Sequence, residues 1–139
     1  MKKINVAETT NAQLDWLVAV ALGHNVKLRN WKDITDALDP VEDADIIAFH
    51  KEHNTIRVSA KQTPGSGWFT NPTYTTNWPL MGPIIDRECM EFDYDEAEQA
   101  YHAYNGIHAG KGKTHLIAAA RCYVASKLGE VVEVPEELT

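Results

Sequence analysis

Cysteine is scarce in this chain of 139 residues: Cys89 and Cys122 are all there is, and neither sits in a pair. That is too few for a disulfide framework, and the spacing is not that of a zinc ribbon. Long apolar runs are also missing, none approaching the ~20 residues that cross a bilayer. The N-terminus, MKKINVAETT, has two lysines with no apolar run behind them, so no secretory signal is read. The expected setting is therefore the cytoplasm, with free thiols and no membrane partner. Basic charge is short as well. Lys and Arg number 13 against 20 Asp and Glu, a formal net charge of -7. Duplex binding needs many phosphates neutralised by Lys and Arg, so the balance argues against nucleic acid and leaves only a local basic patch open. There is no internal repeat and no low-complexity tract.

What is present is ordinary globular material, 44% apolar and 24% charged. We expect residues 1–139 to form a single domain. A chain of this size buries roughly two-thirds of its unfolded surface and needs no disulfide or metal staple.

Residues 1–8 are expected to form a short edge strand or a loose arm. Thr9 or Thr10 is placed to cap a helix to about Leu22, with Leu14, Leu17, Val18, Ala21 and Leu22 as its inward stripe, Trp16 half exposed and Gly23 as its stop. VKL at 26–28 suggests a short strand, and Pro40 breaks the acidic stretch around it. IIAFHKEHNTIRVSA alternates as two strands around Glu52–Asn54. Residues 61–77 read as a long irregular loop, of the kind that more often has a function than not. Asn77 then caps a short helix with Pro79 in its first turn, turning Leu80, Ile84 and Ile85 inward while Pro83 shortens or kinks it. MEFDY at 90–94 and EQAYHAYN at 98–105 are strands joined by DEAE, with Glu91, Asp93 and Asp95 as a solvated face. Thr114 caps the main helix, which buries Leu116, Ile117, Ala120, Val124 and Leu128 and stops on Gly129. VVEVP at 131–135 is a last edge strand, and the acidic tail is expected to be loose. The class expected is α+β, a mainly antiparallel sheet packed with two or three helices in an α-β-α sandwich-like arrangement.

Chemistry is thinner. Residues 106–114, GIHAGKGKT, imitate a phosphate loop, but five residues separate Gly106 from Gly112 where the motif has four. What remains is a helix start that favours anions, with Lys111 and Lys113 beside it; the plainer alternative is a glycine turn kept soluble by lysines. His50 and His53, with His102, His108 and His115, show no metal-ligand spacing, so no metal and no cofactor is expected. Cys89 and Cys122 have no neighbour that would activate them and read as buried structural thiols, so no catalytic residue is assigned. Trp68, Phe69, Tyr74 and Trp78 fall within eleven residues, among Thr70, Asn71, Thr73, Thr75, Thr76 and Asn77. Apolar rings among neutral hydrogen-bonding groups suit a planar polar ligand or a protein interface. The alternative is a loop pinned to the core by its own rings. Arg57, Arg87 and Arg121 are candidate partners for phosphate or carboxylate.

Several stretches carry a family resemblance: LVAVALG at the end of the first helix, YTTNWPLMGPII at 74–85, YHA at 101–103, GKTHLIAAARCYVASKLG at 112–129 and VEVP at 132–135. In that order they resemble NinX-like phage proteins, small proteins encoded by bacteriophages and prophages. The likeness spans nearly the whole chain and is weakest over 30–70; where the family often has tryptophan, this chain has Tyr101. The resemblance implies an accessory protein made inside a bacterial cell and a fold similar to small phage α-β-α sandwich proteins, and it carries over no catalytic residue. Taken together, the expectation is a non-enzymatic protein that binds a small polar or anionic ligand, in the manner of a nucleotide-like host signal. Trp68, Tyr74, Thr75, Thr76 and Trp78 would stack and orient it, and Lys113, Thr114 and Arg121 would hold its phosphate. A module that inhibits or redirects a host protein is the second reading. Self-association stays open.

Overall fold

A computed structural model describes residues 1–23, 26–30, 46–50, 56–60 and 73–138. The chain runs β1 (Lys2–Asn5), a 3-10 turn (Val6–Glu8), α1 (Asn11–Ala21), β2 (Val26–Asn30), β3 (Ile46–His50), β4 (Ile56–Ala60), α2 (Trp78–Arg87), β5 (Glu91–Asp95), β6 (Ala100–Asn105), β7 (His108–Gly112), α3 (His115–Leu128) and β8 (Val131–Val134), closing on a 3-10 turn at Glu136–Leu138. Helices pack on mainly antiparallel sheets, the α+β class expected.

α1 starts where Thr10 accepts from the Gln13 amide while the Gln13 side chain accepts from the Thr10 amide, a reciprocal capping box. Gln13 to Ala19 are all buried. Seven consecutive residues cover every direction around the axis, so α1 is a core helix rather than a one-sided one. Trp16, expected half exposed, is only 8% exposed for that reason.

α2 tolerates Pro83 because the residue before it is Gly82. A Cβ there would press on the proline ring in helical geometry. The helix closes with paired bonds from Cys89 N–H to Asp86 O and from Met90 N–H to Ile85 O, with Cys89 at φ 51 in the position usually held by glycine. Cys89 is consequently exposed, not buried as expected.

β5, β6 and β7 form an antiparallel meander in which Tyr94 faces Tyr101, Tyr101 faces Gly112 and Ala103 faces Gly110. β7 corrects the sequence reading: residues 108–112 are an edge strand, not a glycine loop. The glycines are there because α3 lies directly on them. A Cβ on Gly110 would come within 2.3 Å of the Ala118 carbonyl oxygen and the Cys122 amide nitrogen. A Cβ on Gly112 would come within 2.6 Å of the Ile117 side chain.

α3 is the hub. It packs on β6 and β7, on α1 and on α2. Thr114 Oγ1 accepts from the Ile117 amide at 3.1 Å, and Gly129 ends the helix at φ 93. Leu116, Ala118–Ala120 and Cys122–Ala125 are buried, the small residues allowing the close approach. Leu128, expected inside, is 39% exposed because the last turn runs past the core.

β1 and β8 pair with each other, antiparallel, joining the two ends of the chain. The C-terminal tail is docked rather than loose: Leu138 is buried and its carbonyl accepts from the Gln13 side chain at 3.1 Å. β3 and β4 form the expected antiparallel pair, and β2 runs parallel to β3, which periodicity alone did not suggest.

Candidate functional site

Trp78 opens α2 and His115 opens α3, and the packing of those helices brings their rings to 6.0 Å between centroids. Tyr101 and Phe92 reach the same imidazole from the helix-facing side of β5 and β6. Tyr101 lies 3.9 Å from His115 and tilted by 34°, and Phe92 lies 5.3 Å away, edge-on. Tyr94, opposite Tyr101 across the ladder, continues the line at 4.8 Å. Trp78, His115, Tyr101 and Tyr94 therefore make one continuous shelf of rings. Its ends are open to water, Trp78 at 54% and Tyr94 at 52% exposure. Lys113 and Thr114, both exposed, immediately precede His115. The shelf thus borders the N-terminus of a 14-residue helix, where the peptide dipoles leave positive potential.

The expected ligand residues separate into groups. Trp78 is part of this shelf, and Lys113 and Thr114 adjoin it as the residues before His115, although Thr114 already spends its oxygen on the helix cap. Tyr74 and Thr75 go the other way, into the core, at 5% and 2% exposure. The Thr75 amide donates to Asp15 Oδ1 at 2.9 Å, which ties the segment before α2 to α1. Thr76 is exposed, its hydroxyl on the Thr73 carbonyl. Arg121 donates through Nη1 to the Lys111 carbonyl at 2.7 Å and through Nη2 to the Thr9 carbonyl at 2.8 Å. Trp68 and Phe69 lie outside the described residues, as does His53. The alternative of a loop pinned by its rings describes Tyr74, while Trp78 stays largely exposed beside His115.

Asp15 was missed. Burial pushes its carboxyl up to about 6, opposed by the amide of Thr75 and, more weakly, by the Thr75 side chain. That side chain sits outside bonding geometry, its oxygen buried without a partner. Tyr74 is pushed up to about 12, first by burial and then by the charges of Asp15 and Tyr123. The visible signal was a single acid inside the apolar run LDWLVAVAL. Tyr94 and Tyr101 were also missed as a pair, although a hairpin turning at 96–99 sets those two positions opposite each other.

Asp95, Glu98 and His102 bring ligand-type atoms within 4.8 Å of one another. The Lys111 ammonium is ion-paired with Glu98, His102 Nε2 lies 3.8 Å from the same carboxylate, and Asp95 Oδ1 accepts from the amides of Ala97 and Glu98. The lysine supplies the counter-charge a cation would bring, so the group is an ion-pair cluster that ties β7 to the hairpin. Cys122 is a free, buried thiol. Burial and the nearby Glu88 push its thiol up to about 11, and it leans on the His108 carbonyl at 3.7 Å.

Among the described residues no helix is long and apolar enough to cross a membrane. The family model described as Bacteriophage P22, NinX matches residues 5–127. No curated protein matches the chain. The matched span takes in α1, α2, all of the β5–β7 meander, α3 up to Lys127, and every shelf residue.

Proposed function

Because the chain belongs to the bacteriophage P22 NinX family, we propose that it is a non-enzymatic phage accessory protein that binds a small planar, anionic ligand on the aromatic shelf. A nucleotide-like host defence signal has that chemistry. The observation that carries this reading is the chain of rings Trp78–His115–Tyr101–Tyr94, open at both ends beside a helix N-terminus. Each aromatic face that stacks on a base contributes about 1–3 kcal/mol. The amides of the helix start and the Lys113 ammonium favour a phosphate next to it. Trp78 has the exposure to act as the stacking plate. Among the described residues no activated nucleophile stands beside this surface, which suits capture rather than turnover.

The test is a thermal-shift and fluorescence titration with cyclic and linear nucleotides. A ligand at a hundred times its Kd adds about 2.7 kcal/mol of stability. The expected result is a rise in Tm with quenched tryptophan emission for at least one nucleotide, lost in Trp78→Ala. No nucleotide raising Tm at millimolar concentration would remove this reading.

A second reading uses the same exposed rings as the anchor of an interface that inhibits or redirects a host protein, since Trp and Tyr anchor interfaces more often than most residues. A stoichiometric protein retained by the wild type and released by Trp78→Ala, with no retained small molecule, would favour it.

A further inference from the structure

Arg121 follows His115 by six residues, which on an α-helix is about 9 Å along the axis and about 120° round from it. It therefore serves a different face from the shelf. Two of its five N–H groups are bonded, both to backbone carbonyls, and Nε–H is buried without an acceptor. Among the described residues no carboxylate pairs with it. Among the described residues this half-buried unit charge is thus balanced by carbonyl dipoles. Burial lowers its pKa from the ordinary arginine value, yet guanidinium remains charged at any physiological pH.

This guanidinium lines a cleft of about 300 Å³ between the free edge of β7, α3 and the turn after β1. Lys111 and His102 line it too, and Glu130 is its acidic lining residue. Among the described residues β7 pairs with β6 alone, which leaves its other edge without a strand partner there. The carbonyl of Lys111 faces that edge, where it meets Arg121. In an antiparallel strand the N–H of a residue points the same way as its carbonyl, so the Lys111 amide also turns toward the cleft. An edge amide and a guanidinium with no carboxylate partner among the described residues then converge on one concavity, with Lys111 and His102, both beside the Glu98 carboxylate, also in its lining.

We propose that this cleft is a binding site, separate from the shelf, for a compact oxyanion: a carboxylate or phosphate monoester group held against Arg121 and the edge of β7. The chemistry is that of guanidinium recognition, in which planar donors match two oxygens of one anion. The Nη N–H groups left over from the bonds to Lys111 and Thr9 provide the donors, and the Lys111 ammonium, shared with Glu98, lies at the rim. Glu130 limits affinity by repulsion and disfavours ligands with several charges.

The experiment is an NMR titration of the full chain with inorganic phosphate, and separately with acetate, at constant ionic strength against chloride. Saturable shifts of the Arg121 Nε–H and the Lys111 amide are expected. Lys111→Ala should weaken apparent binding by about threefold to tenfold, where tenfold is 1.4 kcal/mol. Glu130→Gln should tighten it by about twofold or more, since a repelling charge is removed. Trp78→Ala should leave it unchanged. Arg121→Lys keeps the charge but loses the fork, and should abolish saturation in a protein whose thermal transition is still cooperative. Because that variant gives up two bonds, the surface variants Lys111→Ala and Glu130→Gln carry the test if it fails to fold. Shifts that do not saturate, that chloride reproduces, or that ignore both surface variants would overturn the proposal. So would their loss in Trp78→Ala, because the cleft would then be an arm of the shelf.

Discussion

A single carboxyl inside α1 sets a pH dependence for the whole protein. Asp15 is 7% exposed and its pKa is raised to about 6 from 3.8. The folded state therefore holds its proton where the unfolded state has released it. Between those two values the folded chain binds more protons, so stability falls as pH rises. The contribution is complete below pH 4 and is lost by the time the pH has passed through 6. The loss amounts to about 3 kcal/mol at neutrality, at about 1.36 kcal/mol for each pKa unit. Asp15→Asn keeps an oxygen for the Thr75 amide and removes the charge. Urea unfolding at pH 4, 5, 6 and 7 should show the wild type losing about 2–2.5 kcal/mol more than the variant across that range. Parallel profiles would mean that the carboxyl titrates as it does in water. The bond to Thr75 lies between residues sixty positions apart. From the sequence one can see an acid in an apolar run; its partner is supplied by the fold.

At the scale of elements, the contact between β7 and α3 decides the architecture around both candidate sites. Gly110 and Gly112 let a helix lie directly against a strand, and the alanines of α3 reciprocate. Gly110→Ala places a methyl 2.3 Å from backbone atoms of Ala118 and Cys122, which cannot swing aside. Overpacking of a tight contact costs about 1–3 kcal/mol and here falls at the upper end or beyond. Chemical denaturation should report that loss, with displaced amide resonances along 108–112 and 118–122. A variant as stable as wild type would show that the strand and helix have room to part. The same contact explains why a loop was expected here: glycine and lysine in GKGK look like turn chemistry when the helix that needs the glycines is not yet in view. The caps are another matter. Thr10 with Gln13, and Thr114 before its apolar run, act within four residues and are legible in one dimension.

For the molecule as a whole, the two termini are structural parts of one core. β1 pairs with β8, the Val6 amide donates to the Glu130 carbonyl at 2.8 Å, and Leu138 fills a place beside α1. Truncation after Val134 should remove the burial of Leu138, about 1.5–3 kcal/mol, and the bond from Gln13 to its carbonyl, about 1 kcal/mol more. A Tm lowered by several degrees is the expected reading, with β1–β8 amides exchanging faster. An unchanged Tm would mean that the tail contributes nothing. The expectation of a loose tail rested on its acidity, which describes Glu136 and says nothing about the leucine two residues on.

What the sequence by itself determined is what short-range chemistry controls. It includes the start and stop of α1 and α3, the period-two strands of the β3–β4 pair and the β5–β6 hairpin, the tolerance of Pro79 at the start of α2, and the family resemblance. Each depends on hydrogen bonds or side-chain facing within a few positions, so the pattern and its cause are adjacent in the chain. The tertiary structure alone decided which aromatic residues stay in water. Tyr74 and Trp78 are four positions apart with the same amphipathic rings, yet one is sealed against α1 and the other stands beside His115. It also decided that Arg121 clamps β7 to the turn before α1 instead of joining Lys113. Burial and charge pairing are properties of the volume around a side chain, and that volume is filled by residues distant in sequence.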